Sequence, residues 1–252
     1  CTLPVTAAAT PPAAAPPPPA PAAEPDSKFN LSLHYATNRT TNFAGRRWGL
    51  QGSWLHRAPQ DEWSGEFRTQ REAIALNGSD STLKVDEIDS FVKRRRALAA
   101  LDDPPREGAS TYYTYLSPRL RRNRFGYFSS SQAVRAGAGR RFAPLDDLSL
   151  SLEFGPGLRL GRARSGENIR EGVLTASSQL DYRVSDSTQL RLALMSERSS
   201  REHYQTAVAT LRNRVSRHVW LKYELSYRKA LPMDTLQPVG ETRFDAGLSC
   251  QF

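Results

Sequence analysis

Apolar and polar residues alternate with a period of two along most of this chain from about residue 27 onward. In the clearest run, Leu148, Leu150, Leu152 and Phe154 are separated by serines and by Glu153. Side chains of a β-strand point alternately to its two faces, so each run predicts a strand with one apolar face and one polar face. Similar runs occupy residues 28–35, 47–54, 62–68, 148–160, 179–184, 219–228 and 243–252.

The length of these runs separates two all-β architectures that both show alternation. Strands of soluble sandwiches average about 5–6 residues, whereas several runs here reach about 10–14 residues, enough to cross a bilayer at a tilt. Short connections near 57–61, 119–123, 143–147, 184–187 and 216–218 alternate with longer ones near 37–45, 72–108, 161–170 and 229–239. We therefore predict a transmembrane, antiparallel, up-and-down β-barrel of about 12 strands, with both chain ends in the periplasm.

Two segments depart from the pattern. The sequence RFGYFSSSQAVRAGAGRRF must turn near Ser130–Gln132 with almost no loop, so a barrel of about 10 strands is the alternative. Residues 73–108 form a long insertion, interpreted as an extracellular loop. Within it, acidic residues precede arginines and Pro104–Pro105 follow, an order that complements a helix dipole and favours a short amphipathic helix over an extended strand.

Residues 1–26 differ in composition from the remainder, 27–252, which we assign to the barrel. They are dominated by proline and alanine without apolar periodicity, and this predicts a disordered, extended tether in the periplasm. A chain that opens on Cys1 and continues in such a tether resembles a mature bacterial lipoprotein, and that resemblance implies a covalent lipid on Cys1.

Composition limits the other classes. The 252 residues are 38% hydrophobic with a mean hydropathy of −0.57, and no stretch approaches the apolar helix that a helical membrane protein requires. The net charge of +9 is compatible with nucleic-acid binding. We instead expect the arginines to line a lumen or to meet anionic headgroups, with no nucleic-acid partner. Two cysteines, Cys1 and Cys250, make no disulfide framework.

The polar faces of the predicted strands carry charges of both signs, which we place inside the barrel. Two interpretations stay open: a narrow pore that mildly favours anions, or a charge-packed lumen that conducts little. The predicted lumen charges are Arg47, Arg68, Arg159, Arg183, Arg191, Lys222, Arg228, Arg243, Glu62, Glu66, Glu153, Asp181, Glu224 and Asp245.

The sequence offers few candidate catalytic or metal-binding residues. His203, near Ser199, Ser200 and Glu202, is the candidate for an outer-membrane hydrolase, but no spacing between a base and its orienting group is recognisable. No Cys/His cluster has metal spacing, and Gly155-Pro156-Gly157 is not a phosphate loop because no helix follows it. We expect no catalysis, no metal and no cofactor other than the lipid on Cys1.

Several segments resemble a known family. GETRFDAGLSCQF resembles the closing strand of an outer-membrane barrel, in which a terminal aromatic residue, here Phe252, is read by the assembly machinery. Together with LSLSLEFGPGLRL, SSQLDYRVSDSTQLRLAL and HVWLKYELSYR, it resembles the YdiY-like family of salt-induced outer-membrane proteins, domain of unknown function 481. The resemblance implies an outer-membrane barrel and names no catalytic residues.

The predicted function is that of an outer-membrane lipoprotein barrel, either a narrow porin-like channel or a structural component of the Gram-negative cell envelope. Its expected partners are outer-membrane lipid, lipopolysaccharide and, during biogenesis, the barrel-assembly machinery. One alternative is a subunit of a larger envelope complex that docks a protein partner through the tether or the 73–108 loop. The other is an outer-membrane hydrolase.

Overall fold

Long strands make up nearly all of the described chain. The computed structural model describes residues 26–39, 43–58, 60–76, 82–98, 108–122, 128–233 and 239–251. Its strands are β1 Asp26–Arg39, β2 Phe43–Arg57, β3 Asp61–Leu76, β4 Thr82–Ala97, β5 Ala109–Arg122, β6 Phe128–Leu145, β7 Leu148–Ala163, β8 Asn168–Ser185, β9 Thr188–Ser199, β10 Glu202–Arg214, β11 Val219–Pro232 and β12 Val239–Gln251. No helix in these ranges is long and apolar enough to cross a membrane.

The strands form a closed barrel in which each one pairs antiparallel with its neighbours in sequence, and β1 pairs with β12. This confirms the transmembrane up-and-down barrel and its count of twelve strands. We call the end where β1 begins and β12 ends the terminal rim, and the opposite end the far rim. The tight turns Asp146–Asp147 and Asp186–Ser187 lie at the terminal rim, where short connections were predicted.

Two predictions about segments were wrong. The insertion at 73–108 contains no helix in its described part, because Thr82–Ala97 forms β4, paired to both β3 and β5. Lys93 and Arg95 face inward toward Glu153, whereas Arg94 faces outward and pairs with Asp61, so the basic run alternates like any other strand. The 73–108 segment is therefore wall rather than a docking loop over much of its length.

The predicted turn near Ser130–Gln132 was also wrong. β6 begins at Phe128, and Ser130 and Gln132 pair with Arg122 and Leu120 of β5. The serines gave a turn signal in the sequence, but a polar outward residue is tolerated near the end of a strand. The connection between β5 and β6 lies earlier, after Arg122.

The outer wall is apolar, with aromatic residues near both rims. Leu33, Leu158 and Phe244 face outward and are 66%, 65% and 60% exposed. Trp48 pairs with Tyr35 toward the far rim, and Trp54, Trp63 and Tyr182 lie toward the terminal rim. A band of this kind between aromatic girdles matches the hydrocarbon core and the interfaces of a bilayer.

The closing seam between β1 and β12 is short. Along the described residues its register runs only from Asn30↔Gln251 to His34↔Gly247, five pairs. By contrast, β1 pairs with β2 along its whole length, from Asp26↔Arg57 to Arg39↔Ala44. The strands are staggered at closure, as the tilt of strands in a barrel requires.

Candidate functional site

The interior of the barrel holds the charges. Paired residues on neighbouring strands share a face, and the register brings the charged positions of all strands to the inner face. The predicted lumen residues at these inward positions are Arg47, Arg68, Arg159, Arg183, Arg191, Lys222, Arg228, Arg243, Glu62, Glu66, Glu153, Asp181, Glu224 and Asp245. Arg183 and Arg191, near the terminal rim, remain about half exposed in their side chains (48% and 57%).

Glu153 lies at the centre of one cross-lumen network. It accepts hydrogen bonds from Lys93 Nζ at 2.7 Å, Arg95 Nη2 at 2.8 Å, Ser177 Oγ at 3.0 Å and Tyr113 Oη at 3.2 Å. β5 and β6 lie between β4 and β7 in the wall, so the ion pairs of Lys93 and Arg95 span the lumen rather than join neighbours. Glu153 is 8% exposed, and the side chains of Lys93 and Arg95 are 18% and 12% exposed, so these ion pairs are largely shielded from bulk water.

Glycines on β6 and β7 make room for these long side chains. A methyl group on Gly139 would lie 2.5 Å from the Tyr113 ring, which folds over the glycine. Gly137 and Gly155 approach so closely that either methyl group would lie 2.7 Å from the other residue's Cα. The Glu153-Phe154-Gly155-Pro156-Gly157 segment therefore combines a charge with bare backbone beside it, as glycine within a strand allows.

A second network lies toward the far rim, around Arg159. The guanidinium is 2.7 Å from Glu171, 3.0 Å from Glu197 and 3.1 Å from Glu202, and Arg135 also pairs with Glu197. Arg159 is 1% exposed. Isolated ions would be very costly at such a site, and their mutual pairing is what makes their burial tolerable.

Arg121 ties the same network to the opposite wall. Its guanidinium is 3.7 Å from Glu202 and stacks 4.1 Å from the ring centroid of Tyr204. Arg121 lies on β5, whereas Glu202 and Tyr204 lie on β10, and four strands separate β5 from β10 in the wall. These side chains therefore bridge the lumen.

Further ion pairs close the remaining arc between β2 and β12. Arg68 on β3 is 2.6 Å from Glu224 on β11, with β2, β1 and β12 between them in the wall. Arg47 is 3.0 Å from Asp245. Glu87 on β4 pairs with two cations from across the lumen, Arg243 of β12 at 2.9 Å and Arg228 of β11 at 3.2 Å.

The terminal rim is closed by a third group. Glu62, 1% exposed, lies 3.0 Å from Arg57, 2.5 Å from Arg95 and 3.0 Å from Arg141. Trp220, which faces inward as its position in the alternation predicts, lies beneath the guanidinium of Arg212 at 5.6 Å. Its ring fills part of the cross-section of the lumen near the turn between β10 and β11.

Two open pockets flank Arg68 and Gln70, which line both. The first is bordered by His34, Lys222 and Glu224. Both pockets lie between ion pairs, and each has room for about one water molecule.

Several lumen residues escaped the sequence prediction. Glu87, Asp89, Lys93 and Arg95 were missed because their segment was interpreted as a helix. The others, Arg119, Arg121, Glu171, Glu197 and Glu202, occupy positions that strand alternation alone would have placed inside. The alternation of charged residues with apolar neighbours was the sequence signal that could have identified them as lumen residues.

The structure does not bring the hydrolase candidates together. His203 faces outward, 2.9 Å from Ser196 Oγ, and pairs with Arg198. Glu202 is buried inside the barrel and Ser199 Oγ bonds to its main chain. Alternation along β10 therefore puts His203 and Glu202 on opposite faces.

Replacing His203 by alanine is expected to leave hydrolysis of detergent-dispersed phospholipid at the rate of the unmodified protein. Within the described part of the chain, the imidazole contacts Ser196 and Gln205 and no carboxylate, so it lacks the orienting acid of a triad there. Rates with a fluorogenic phospholipid would measure this. A rate that falls on the substitution would revive the hydrolase hypothesis.

Of the remaining candidate residues named from the sequence, the structure describes Cys250 but not Cys1 or Phe252. Cys250 is a free, half-buried thiol whose partners across the strands, Leu31 and Val219, share the outer face. Cys1 and Phe252 lie outside the described residues, and the lipid and assembly roles assigned to them stay predictions. Among the described residues no cluster of three His, Cys, Asp or Glu is arranged to hold a metal ion.

Comparisons with known proteins give a family and a set of barrels. A family model described as "Protein of unknown function, DUF481" matches residues 56–252. No curated protein matches the sequence. Among solved structures, the chain is similar to the KdgM porin, with 15% identity, a TM-score of 0.49, and coverage of 89% of this chain and 99% of that one.

Two further structures show similar agreement. The NanC porin is 11% identical with a TM-score of 0.48, over 88% of this chain and 98% of that one. The translocator domain of the autotransporter NalP from Neisseria meningitidis is 15% identical with a TM-score of 0.42, over 90% and 87%.

Proposed function

This chain belongs to the DUF481 family, and we propose that it is an outer-membrane barrel with a closed, ion-paired lumen that serves as a structural component of the bacterial envelope. In this proposal both chain ends face the periplasm, since an even number of strands brings them to one rim, where four of the five connections between strands have two to four residues. Outer-membrane lipid surrounds the apolar band.

The observation that carries the proposal is the set of ion pairs between strands that are not neighbours. Lys93 and Arg95 reach Glu153 from β4 to β7, and Arg68 reaches Glu224 from β3 to β11. A barrel of about 12 strands is intermediate between side-chain-filled small barrels and open porins. In a lumen of that width, arginines extended from facing walls meet and occupy the cross-section.

Buried pairing of this kind also resists opening. Separating Glu153 from two cations leaves three charges to be solvated within a narrow cavity, which costs several kcal/mol unless water follows. Permeation of a solute would require several such pairs to part together. The proposed barrel therefore contributes to the envelope by its presence in the membrane rather than by transport.

A narrow anion-favouring channel is the second candidate. Arg183 and Arg191, about half exposed at the terminal rim, are the observation in its favour, because exposed arginines at a mouth attract anions. Each of them is also paired with one aspartate, Asp147 and Asp181, which lowers this attraction. The two candidates differ in what they predict for the native barrel in a bilayer.

Planar-bilayer recording separates them. The unmodified barrel is expected to show no discrete conductance steps above the bare-membrane leak, because the charged side chains close the lumen. Stable anion-selective steps whose selectivity declines in Arg191→Gln would contradict closure and establish the channel. An Arg94→Gln variant, altered at an outward position, is the matched control.

A further inference from the structure

The outer wall ends at the far rim in a repeated pattern. On four strands, the outward position that follows the apolar band toward this rim is an arginine. Arg122 follows Leu120 on β5, Arg162 follows Leu160 on β7, Arg170 precedes Leu174 on β8, and Arg198 follows Leu194 on β9. We call Arg122, Arg162, Arg170 and Arg198 the arginine belt.

Register and exposure place the belt on the outside. Arg122 pairs with outward Ile88, Arg170 pairs with outward Leu160, and Arg198 pairs with outward Leu174. All four arginines of the belt are exposed. They cover an arc from β5 to β9 directly above the hydrocarbon-facing residues.

The belt has no acidic partners among the residues the structure describes. None of its four guanidiniums makes an ion pair there, and Glu167, in the turn joining β7 to β8, pairs with none of them. Two arginines on the outer wall at the terminal rim differ. Arg94 pairs with Asp61 at 2.9 Å, and Arg140 stacks on Tyr112 and Phe142.

The position of the belt indicates its ligand. A guanidinium at the border of the apolar band lies at headgroup level, and its planar fork binds phosphate oxygens in pairs. Four unpaired arginines on one arc require an anionic group of high charge density. Phosphates of the surrounding lipid satisfy that requirement.

We infer that the arginine belt is a binding site for the phosphate groups of lipid A, the phosphorylated lipid of the outer leaflet. The inference rests on the proposed function for its orientation, since periplasmic chain ends put the far rim in that leaflet. Lipid A carries its phosphates at the border between acyl chains and water, at the level of the belt.

Binding of purified bisphosphorylated lipid A to the whole barrel in detergent micelles tests the site. The variant Arg122→Gln/Arg162→Gln/Arg170→Gln/Arg198→Gln is expected to bind about tenfold more weakly or worse, since each basic residue near an anionic surface contributes to affinity. The matched control removes four arginines from the terminal rim: Arg94, Arg96, Arg140 and Arg217, each to Gln. It is expected to keep the affinity of the unmodified barrel.

Two comparisons identify the ligand chemistry. Dephosphorylated lipid A and phosphatidylglycerol are both expected to bind the unmodified barrel more weakly than bisphosphorylated lipid A. Equal binding of the phosphorylated and dephosphorylated forms, equal binding of phosphatidylglycerol, or an equal loss in the control variant would each overturn the site. If the fourfold variant does not fold, the double variants Arg122→Gln/Arg162→Gln and Arg170→Gln/Arg198→Gln replace it.

Failure of the site and failure of the proposed function give different results. A chain that leaves the membrane fraction without detergent refutes the membrane placement and the proposed function with it. A chain that requires detergent but does not distinguish lipid A from its dephosphorylated form refutes the arginine belt alone.

Discussion

Replacing Glu153 by glutamine is expected to lower the free energy of unfolding by about 3–5 kcal/mol, the cost of removing one partner from a buried ion pair. Lys93 and Arg95 would lose the negative charge of their shared carboxylate, and a single amide oxygen would remain to accept from them and from Tyr113. Urea titration of the barrel in lipid vesicles, followed by tryptophan fluorescence, measures the change.

The control for this substitution is Glu66→Gln. The Glu66 side chain is 32% exposed and lies 3.9 Å from Arg68, which keeps Glu224 as its partner at 2.6 Å. The control is expected to cost less than about 1 kcal/mol, as weakly buried pairs do. Equal losses for the two substitutions would show that the lumen is hydrated throughout. The network around Glu153 would then contribute no more to the free energy of unfolding than an exposed ion pair does.

Replacing Gly155 by alanine is expected to prevent most of the protein from reaching the folded barrel. The added methyl group would lie 2.2 Å from the carbonyl oxygen of Ala136 and 2.7 Å from Gly137 Cα, which are main-chain atoms that cannot rotate away. Separating β6 from β7 to relieve this contact costs more than about 3 kcal/mol, the upper end of ordinary overpacking. The folded fraction is measured by the migration of unheated protein in gel electrophoresis.

Gly172→Ala is the matched control, because no atom lies within 4 Å of the position of its added methyl group. A change below about 0.5 kcal/mol is expected there, as for an ordinary surface substitution. A Gly155→Ala barrel as abundant as the control would mean that β6 and β7 can move apart freely at this point.

The architecture was predictable because one rule covers most of the chain. Alternation in β7 and in the region of β11 and β12 is regular, so face and length both follow from the sequence. By the same rule Trp220 occupies an inward position, and the structure places it there. Where one face meets lipid and the other meets charge, a single slip in register would exchange them, which makes the pattern strict.

The prediction of a helix in place of β4 was wrong because both faces of this strand carry charge. In β4, Asp89, Lys93 and Arg95 face inward while Arg94 faces outward, so polarity no longer distinguishes the two faces. Apolar residues at Ile88 and Val92 then have the four-residue spacing of a helix as well as the even spacing of a strand. The decisive information, that Asp61 and Glu153 receive these cations, comes from distant parts of the chain.

The partners inside the lumen were unpredictable for a related reason. The sequence assigns Arg159 and Arg68 to the inner face, but which acid each one meets depends on the tilt and stagger of the closed barrel. Arg121 reaches Glu202 across the interior only because β5 and β10 face one another. A list of inward charges therefore leaves open whether they form an aqueous ring or fill the space.

The brief register between β1 and β12 has a mechanical consequence. Five residue pairs join β1 to β12 in the described chain, whereas β1 is paired with β2 from Asp26 to Arg39. Under load the cylinder would split lengthwise at that line and unroll as one sheet, leaving the other hairpins whole. Barrel formation during membrane insertion would follow the opposite order and end with the pairing of β12 to β1.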